Sequence, residues 1–138
     1  MGPAGPLSPP TLGLELDPDR VSVCRLPPGA PWPTPPPGAE LYSATRTPDE
    51  LSVVCHEGDE PPGAQVEPGW RALRVVGPLA FDLIGVIASL AVPLADGAIG
   101  VFVVSTFDTD LVLVQDADLA AAVEVLRTAG HHLLPASD

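Results

Sequence analysis

The fold is decided in the second half of the chain, where residues 83–134 read LIGVIASLAVPLADGAIGVFVVSTFDTDLVLVQDADLAAAVEVLRTAGHHLL. Between residues 83 and 95, apolar side chains recur at the i, i+3, i+4 and i+7 spacing of a helix with one buried face. Asp82 can cap the start of this helix, and Gly97 lies where a left-handed residue commonly ends one. The stretch therefore predicts an amphipathic helix.

A hairpin and a second helix follow. Residues 101–105 and 111–115 are Val- and Leu-rich runs on either side of a four-residue turn, a pattern typical of paired strands. Asp116 then caps a helix with an apolar stripe at helical spacing, and Gly130 ends it.

Two further strands complete this half, one at residues 70–76 and an edge strand at 131–134. The resulting order is β-α-β-β-α-β. It predicts an α+β fold of the ferredoxin-like split βαβ type, with an antiparallel sheet on one side and two helices on the other.

The first half contains strands without helices. Seven prolines within residues 27–38 exclude a regular helix there, and Trp32 can pin this extended segment to the body. Asp17-Pro18-Asp19 predicts a turn, and residues 56–68 form a polar boundary between the halves. The predicted strands of this half are 12–16, 21–26, 42–46 and 51–55. We therefore divide the chain into a degenerate N-terminal half, residues 11–62, and a C-terminal half, residues 69–135.

Composition excludes several classes of function. The 138 residues carry 18 acidic and 6 basic side chains, a formal net charge of −12, so phosphate backbones and anionic membranes are repelled. We predict no nucleic-acid or membrane partner. No signal peptide and no apolar run of bilayer length is visible, and Cys24 and Cys55 lie in separate β-like runs without a CxxC spacing. These features predict a cytoplasmic protein with two reduced, buried thiols, and the alternative is a disulfide between them.

The sequence resembles the small bacterial tandem-ACT proteins, which are related to the regulatory region of aspartate kinases and to the cytosolic arginine sensors of animals. The resemblance covers about residues 12 to 134. It is carried by TRTPDELSVVC at 45–55, GWRALR at 69–74 and VSTFDTD at 104–110. A short echo between residues 43–54 and 104–114 also favours an internal duplication.

The resemblance implies a non-catalytic sensor that holds a small free amino acid at the interface between its two ACT halves. A helix N-terminus offers N–H groups to the ligand carboxylate, and an Asp can take its ammonium group. The ligand residues that it implies are Ser52, Val53, Val54, Asp82, Gly85, Val86, Thr106, Phe107 and Asp110. It also implies a homodimer, formed here by short apolar strand edges, and a protein target whose contact changes on binding.

One position departs from the arginine-sensing pattern. Those relatives have an acidic residue after the position of Asp82, where this chain has Leu83. A guanidinium group would then have Asp110 alone as a strong partner, and a smaller or neutral amino acid fits equally well.

Other readings of the same residues stay open. Asp110 also suits a turn cap, Asp82 a helix N-cap, and Phe107 a core position. The pair His131-His132 has no third metal ligand at suitable spacing and suits the end of the second helix. No nucleophile–base–acid set, phosphate loop or cofactor motif is present, so we predict no enzyme, no cofactor and no metal. The alternative to a sensor is a ligand-free scaffold for oligomerisation, and a small metabolic enzyme ranks third.

Overall fold

The computed structural model describes residues 10–77 and 84–135 of the chain. The predicted β-α-β-β-α-β order is confirmed from β4 to β7, and the fold is of the predicted ferredoxin-like α+β type. The elements are β1 (Gly13–Leu26), β2 (Tyr42–Arg46), β3 (Leu51–His56), β4 (Gln65–Val75), α1 (Val86–Asp96), β5 (Phe102–Ser105), β6 (Asp110–Gln115), α2 (Leu119–Thr128) and β7 (His132–Leu134). Neither helix in the described ranges is long and apolar enough to cross a bilayer.

The chain folds into two compact units. The strand unit comprises residues 17–72, and the helical unit comprises the residues up to 16 and those from 73 onward. Strands β1 and β4 each contribute residues to both. In the strand unit the order is β2-β3-β1-β4, and in the helical unit it is β7-β1-β4-β6-β5. The division into ACT halves at 11–62 and 69–135 stays a prediction about repeats along the chain.

The predicted turn at Asp17-Pro18-Asp19 is wrong, because β1 runs through it as one strand of 14 residues. The N–H of Asp19 donates to the Asp17 carboxylate at 2.9 Å. Two successive partners keep the backbone extended: residues 13–15 pair with β7, and residues 21–26 pair with β3.

The helical unit contains a strand from the start of the chain, which the sequence did not predict. In a split βαβ unit the first and last strands are neighbours. Here β1 lies between them: β7 pairs with it in parallel, from Gly13↔His132 to Glu15↔Leu134. The N–H of Val76, just after β4, donates to the carbonyl of Gly13 at 2.8 Å. The sequence predicted an antiparallel sheet. The parallel pair of β1 and β7 is an exception to that prediction.

Strand β4 begins at Gln65, so the predicted boundary loop is wrong for residues 65–68. Those four residues are exposed, and an exposed strand end has no apolar alternation from which to recognise it. The N–H of Gly69 within β4 donates to the Glu57 carboxylate at 2.9 Å.

Each unit has its own aliphatic core. The helical unit buries a cluster of twelve residues: Leu12, Leu14, Leu73, Val75, Val86, Leu90, Leu94, Ile99, Val112, Val114, Ala122 and Leu126. The strand unit buries Cys24, Leu26, Leu51, Val53 and Cys55. Both cysteines are free thiols, as predicted. Burial is the main cause that raises the pKa of both thiols, and that of Cys55 rises to about 12.

Helix α1 starts later and ends differently from the prediction. Its N-cap is Gly85, with φ 85°, and the predicted cap Asp82 lies outside the described residues. At the other end Gly97 has φ −83°, so it is not the left-handed residue. Ala98 takes that conformation, with φ 59°. The N–H of Ile99 donates to Leu94 and the N–H of Ala98 to Ala95, both at 2.9 Å, which is the Schellman pattern.

Helix α2 ends in a second Schellman motif. Gly130 has φ 100°, as its predicted role as helix terminator requires. Its N–H donates to Arg127 at 2.9 Å, and the N–H of His131 donates to Leu126 at 3.0 Å. At the start, Asp116 belongs to a one-turn 3-10 helix, Asp116–Asp118, and α2 itself starts at Leu119.

Candidate functional site

Among the described residues, no side chain caps the first backbone N–H groups of α1. No side chain of the N-cap residue Gly85 exists to accept them, and the first turn contains no acidic residue. The first intrahelical hydrogen bond runs from the N–H of Ser89 to the carbonyl of Gly85 at 2.9 Å. The N–H groups between them are the ones that an anion binds at a helix N-terminus. Of the predicted ligand residues, Gly85 and Val86 lie here.

The β5–β6 turn presents a second group of predicted ligand residues. Asp110 opens β6 opposite Ser105, whose hydroxyl donates to one carboxylate oxygen at 2.6 Å. Thr106 uses its hydroxyl within the turn, where it accepts from the N–H of Thr109 at 3.2 Å. Thr109 is buried and its hydroxyl donates to the carbonyl of Val75 at 2.5 Å, which anchors the turn to β4. The half-buried carboxylate of Asp110 is therefore held in place by the hydrogen bonds of the turn.

Phe107 is not a core residue, which was one reading of the sequence. It lies at the tip of this turn with 78% of its surface exposed. Of the predicted ligand residues it therefore offers the largest exposed apolar surface.

The predicted ligand residues of β3 divide between the two faces of the strand. Val53 is fully buried and belongs to the core of the strand unit, so its side chain is committed to packing. Ser52 and Val54 point to the opposite face, where Ser52 is only partly buried. β3 pairs with β1 on one side and β2 on the other, so its backbone groups are already used in the sheet. Ser52 is thus the best placed of the three for contact with a ligand.

A cavity of about 550 Å³ borders the exposed side of α1. Gly85, Ser89, Asp96 and His131 contribute to its walls. The sequence analysis assigned His131 to the end of α2 and did not predict the contacts that its ring makes. The ring is 3% exposed; it accepts from the N–H of Leu12 at 3.1 Å and bonds the carbonyl of Ser89 at 2.8 Å. It joins the residue that precedes β1 to α1, a tertiary role without a local signal.

Three potential metal-ligating side chains meet in the strand unit, again without a sequence signal. One ligand atom each of Asp17, Asp19 and His56 lies within 4.8 Å of the others. The Asp17 carboxylate is 2.5 Å from Nε2 of His56, and that of Asp19 is 3.9 Å from Nδ1. The two carboxylates therefore lie beside different nitrogen atoms of one imidazole ring, which is the geometry of an ion-pair network. The sequence missed it because it predicted a turn at residues 17–19.

Comparison with known families defines the class of protein. Residues 65–128 match the family model of the ACT domain, and residues 19–62 match a second model that describes an N-terminal domain. Residues 65–128 of the chain are therefore an ACT domain, and the resemblance noted in the sequence is confirmed.

Individual relatives refine this picture. A crystal structure of an Agobacterium tumefaciens protein is 39% identical, with 94% of this chain and 96% of that chain covered and a TM-score of 0.84. The human "Cytosolic arginine sensor for mTORC1 subunit 1" is 41% identical over 59 residues. That match spans 42% of this chain and only 18% of the sensor.

The fold is also that of an aspartate kinase regulatory subunit. The ligand-free subunit of Thermus thermophilus superposes with a TM-score of 0.60 over 88% of this chain and 99% of that chain. Its sequence identity of 14% makes this a likeness of fold alone.

Proposed function

We propose that this chain is a non-catalytic regulatory protein of the cytoplasm that binds a small free amino acid. The observation that carries the proposal is the start of α1 within an ACT domain, where no side chain of the described residues caps the N–H groups that follow Gly85. Such a helix end favours a ligand carboxylate through both its hydrogen bonds and its dipole. The similarity to a protein named as an arginine sensor supports the same class of ligand.

Asp110 is the proposed partner of the ligand ammonium or cationic side chain. Its carboxylate accepts one hydrogen bond from Ser105 and is half-buried, so acceptor positions are left for a ligand. Thr106, Phe107 and Ser52 complete the accessible part of the proposed set. Three further parts of the proposal rest on the resemblance. They are the role of Asp82 as a ligand residue, the position of the ligand between the two ACT halves, and the existence of a regulated target protein.

Absence of catalysis is supported by the chemistry of the two thiols. A thiolate is the nucleophilic form of cysteine, and a pKa of about 12 keeps Cys55 protonated at neutral pH. Cys24, whose pKa is also raised by burial, lies in the same core. Neither can serve as an activated nucleophile.

A thermal-shift screen of the full chain against the twenty amino acids tests the proposal. A ligand at about 100 times its dissociation constant stabilises the fold by about 2.7 kcal/mol. In a chain of this size that raises the melting temperature by on the order of ten degrees. Asp110→Asn should abolish most of the shift, while its amide oxygen still accepts from Ser105.

The matched control is Asp108→Asn, which removes one negative charge from the exposed tip of the same turn. It should leave the ligand-induced shift unchanged. The proposal fails if no amino acid moves the melting curve, or if the two variants respond alike.

A self-associating scaffold is the second candidate function, and one stretch of the chain with little charge favours it. Between Ile84 and Phe107 the only charged residue is Asp96. Within this stretch Ile84 is 72% exposed, Val92 is 57% exposed, and Val103 is exposed on β5, which ends the sheet. Two copies with a net charge of −12 repel each other least where neither has a charge. We propose that a homodimer forms through exposed apolar residues of this stretch.

Light scattering at micromolar concentration tests the homodimer. Val92→Glu should shift the mass toward the monomer, because a carboxylate would have to be buried in the interface. Val66→Glu, the same substitution at an exposed valine of β4, is the control and should leave the mass unchanged. A wild-type protein that is monomeric, or equal effects of both variants, would count against the dimer.

A further inference from the structure

The strand unit contains a second cavity, and none of the residues that line it is predicted to bind an amino acid. Its volume is about 360 Å³. Aromatic and proline side chains line most of it: Trp32, Pro33 and Pro36 come from the proline-rich segment, Tyr42 from β2, and Pro61 from the loop after β3. Asp59 and Glu60 are the only charged residues among the described residues of its wall.

The proline-rich wall is held in place before any ligand arrives. Arg46 of β2 donates to the carbonyls of Pro28 and Ala30, the second at 2.6 Å. Its guanidinium carbon also lies 4.6 Å from the centroid of the Trp32 ring. Arg46 is not among the residues that line the cavity, so it supports Trp32 without filling the space. A pre-formed site of this kind loses little freedom on binding.

The two carboxylates of the cavity differ in their partners. Glu60 accepts from the Ser22 hydroxyl and from the N–H of Gly58, each at 2.8 Å. Burial alone would raise the pKa of Glu60, but these hydrogen bonds outweigh it and lower the pKa, so the group stays ionised. Among the described residues, none donates a hydrogen bond to the carboxylate of Asp59. Two acidic residues and no basic residue are therefore among the described residues that line the cavity.

Tyr42 adds a neutral aromatic face beside that charge. Burial raises its pKa, and the negative charge of Asp59 acts in the same direction. The phenol therefore stays uncharged at neutral pH, close enough to Asp59 to feel its carboxylate. Aromatic faces attract cations, and proline rings supply apolar contact but no hydrogen-bond donor.

We propose that this cavity binds a small organic cation with a methylated ammonium head. The methyl groups contact Trp32, Tyr42 and the proline rings, and the positive charge faces Asp59 and Glu60. A primary ammonium fits less well, because the apolar walls offer few acceptors for its three N–H groups. The site goes beyond the amino-acid-binding function and does not depend on it.

Choline is the probe, and NMR of the full chain is the assay. The chain has two tryptophans, so its ¹H–¹⁵N spectrum contains two indole N–H peaks, and Trp32→Phe assigns the one from the cavity. Choline chloride should shift that peak saturably, measured against sodium chloride at equal ionic strength. The neutral isostere 3,3-dimethylbutan-1-ol should bind at least about tenfold more weakly, because it lacks the charge that the rings and carboxylates attract.

Two further variants separate this site from its surroundings. Asp59→Asn should weaken choline binding about fivefold, since it removes a charge next to the ligand. Asp49→Asn, the same change at an exposed position of the strand unit, should not. Asp110→Asn should leave the choline titration unchanged, so failure of this site and failure of the amino-acid site are distinguishable. Non-saturable shifts, equal binding of the isostere, or an unaltered Asp59→Asn titration would overturn the proposal.

Discussion

Two adjacent histidines should differ sharply in their importance for stability. His131 is buried, and its ring satisfies the N–H of Leu12 and the carbonyl of Ser89. His131→Phe removes both hydrogen bonds and leaves two buried backbone groups without partners, at about 1–3 kcal/mol each. We expect a loss of about 2–6 kcal/mol, out of the roughly 5–15 kcal/mol that stabilises a typical domain. His132→Phe, the same change at an exposed position, should stay within about 0.5 kcal/mol of wild type.

Urea unfolding followed by circular dichroism measures both variants. A loss of about 3 kcal/mol lowers the melting temperature by on the order of ten degrees in a chain of this size. If His131→Phe does not fold, His131→Gln keeps one donor and one acceptor and should give an intermediate loss. Equal effects at the two positions, or no effect at His131, would refute the argument that its hydrogen bonds join the residue that precedes β1 to α1.

Further predictions concern the end of α1 and the buried thiols. Ala98→Gly should stabilise the fold by about 1 kcal/mol in urea unfolding, because φ 59° is costly for a residue with a Cβ. Gly97→Ala should instead destabilise it, since the new Cβ would lie 3.3 Å from Cγ1 of Val125. If both substitutions change the free energy of unfolding in the same direction, the two predictions are contradicted. Cys24 and Cys55 should resist iodoacetamide at pH 8 and react once guanidinium unfolds the chain. The pKa of Cys55 is raised in the fold from 9.0 to about 12, so the thiol of the unfolded chain ionises at lower pH than that of the folded chain. The free energy of unfolding should therefore fall as the pH rises between these two values. A free energy of unfolding that stays constant over this pH range would contradict the prediction.

The order of elements could be predicted from the sequence because it depends on local periodicity. Apolar spacing identified both helices and the β5–β6 hairpin, and Gly130 marked the end of α2. The segment 104–110 also carries the family resemblance, which implies Thr106, Phe107 and Asp110 as ligand residues, and their role in binding stays a prediction. Strands β5 and β6 pair with Asp110 opposite Ser105, because the short turn between them permits one register.

What the sequence by itself determined, then, is the set of elements, the acidic character and the ACT family. Only the tertiary structure decided which distant segments meet. It placed the start of β1 between β7 and β4, joined His131 to Leu12 and Ser89, and brought Asp17 and Asp19 to His56. It also enclosed the cavity beside Trp32. Such contacts depend on how the sheet and core bring remote residues together, and local propensities report only on neighbours along the chain.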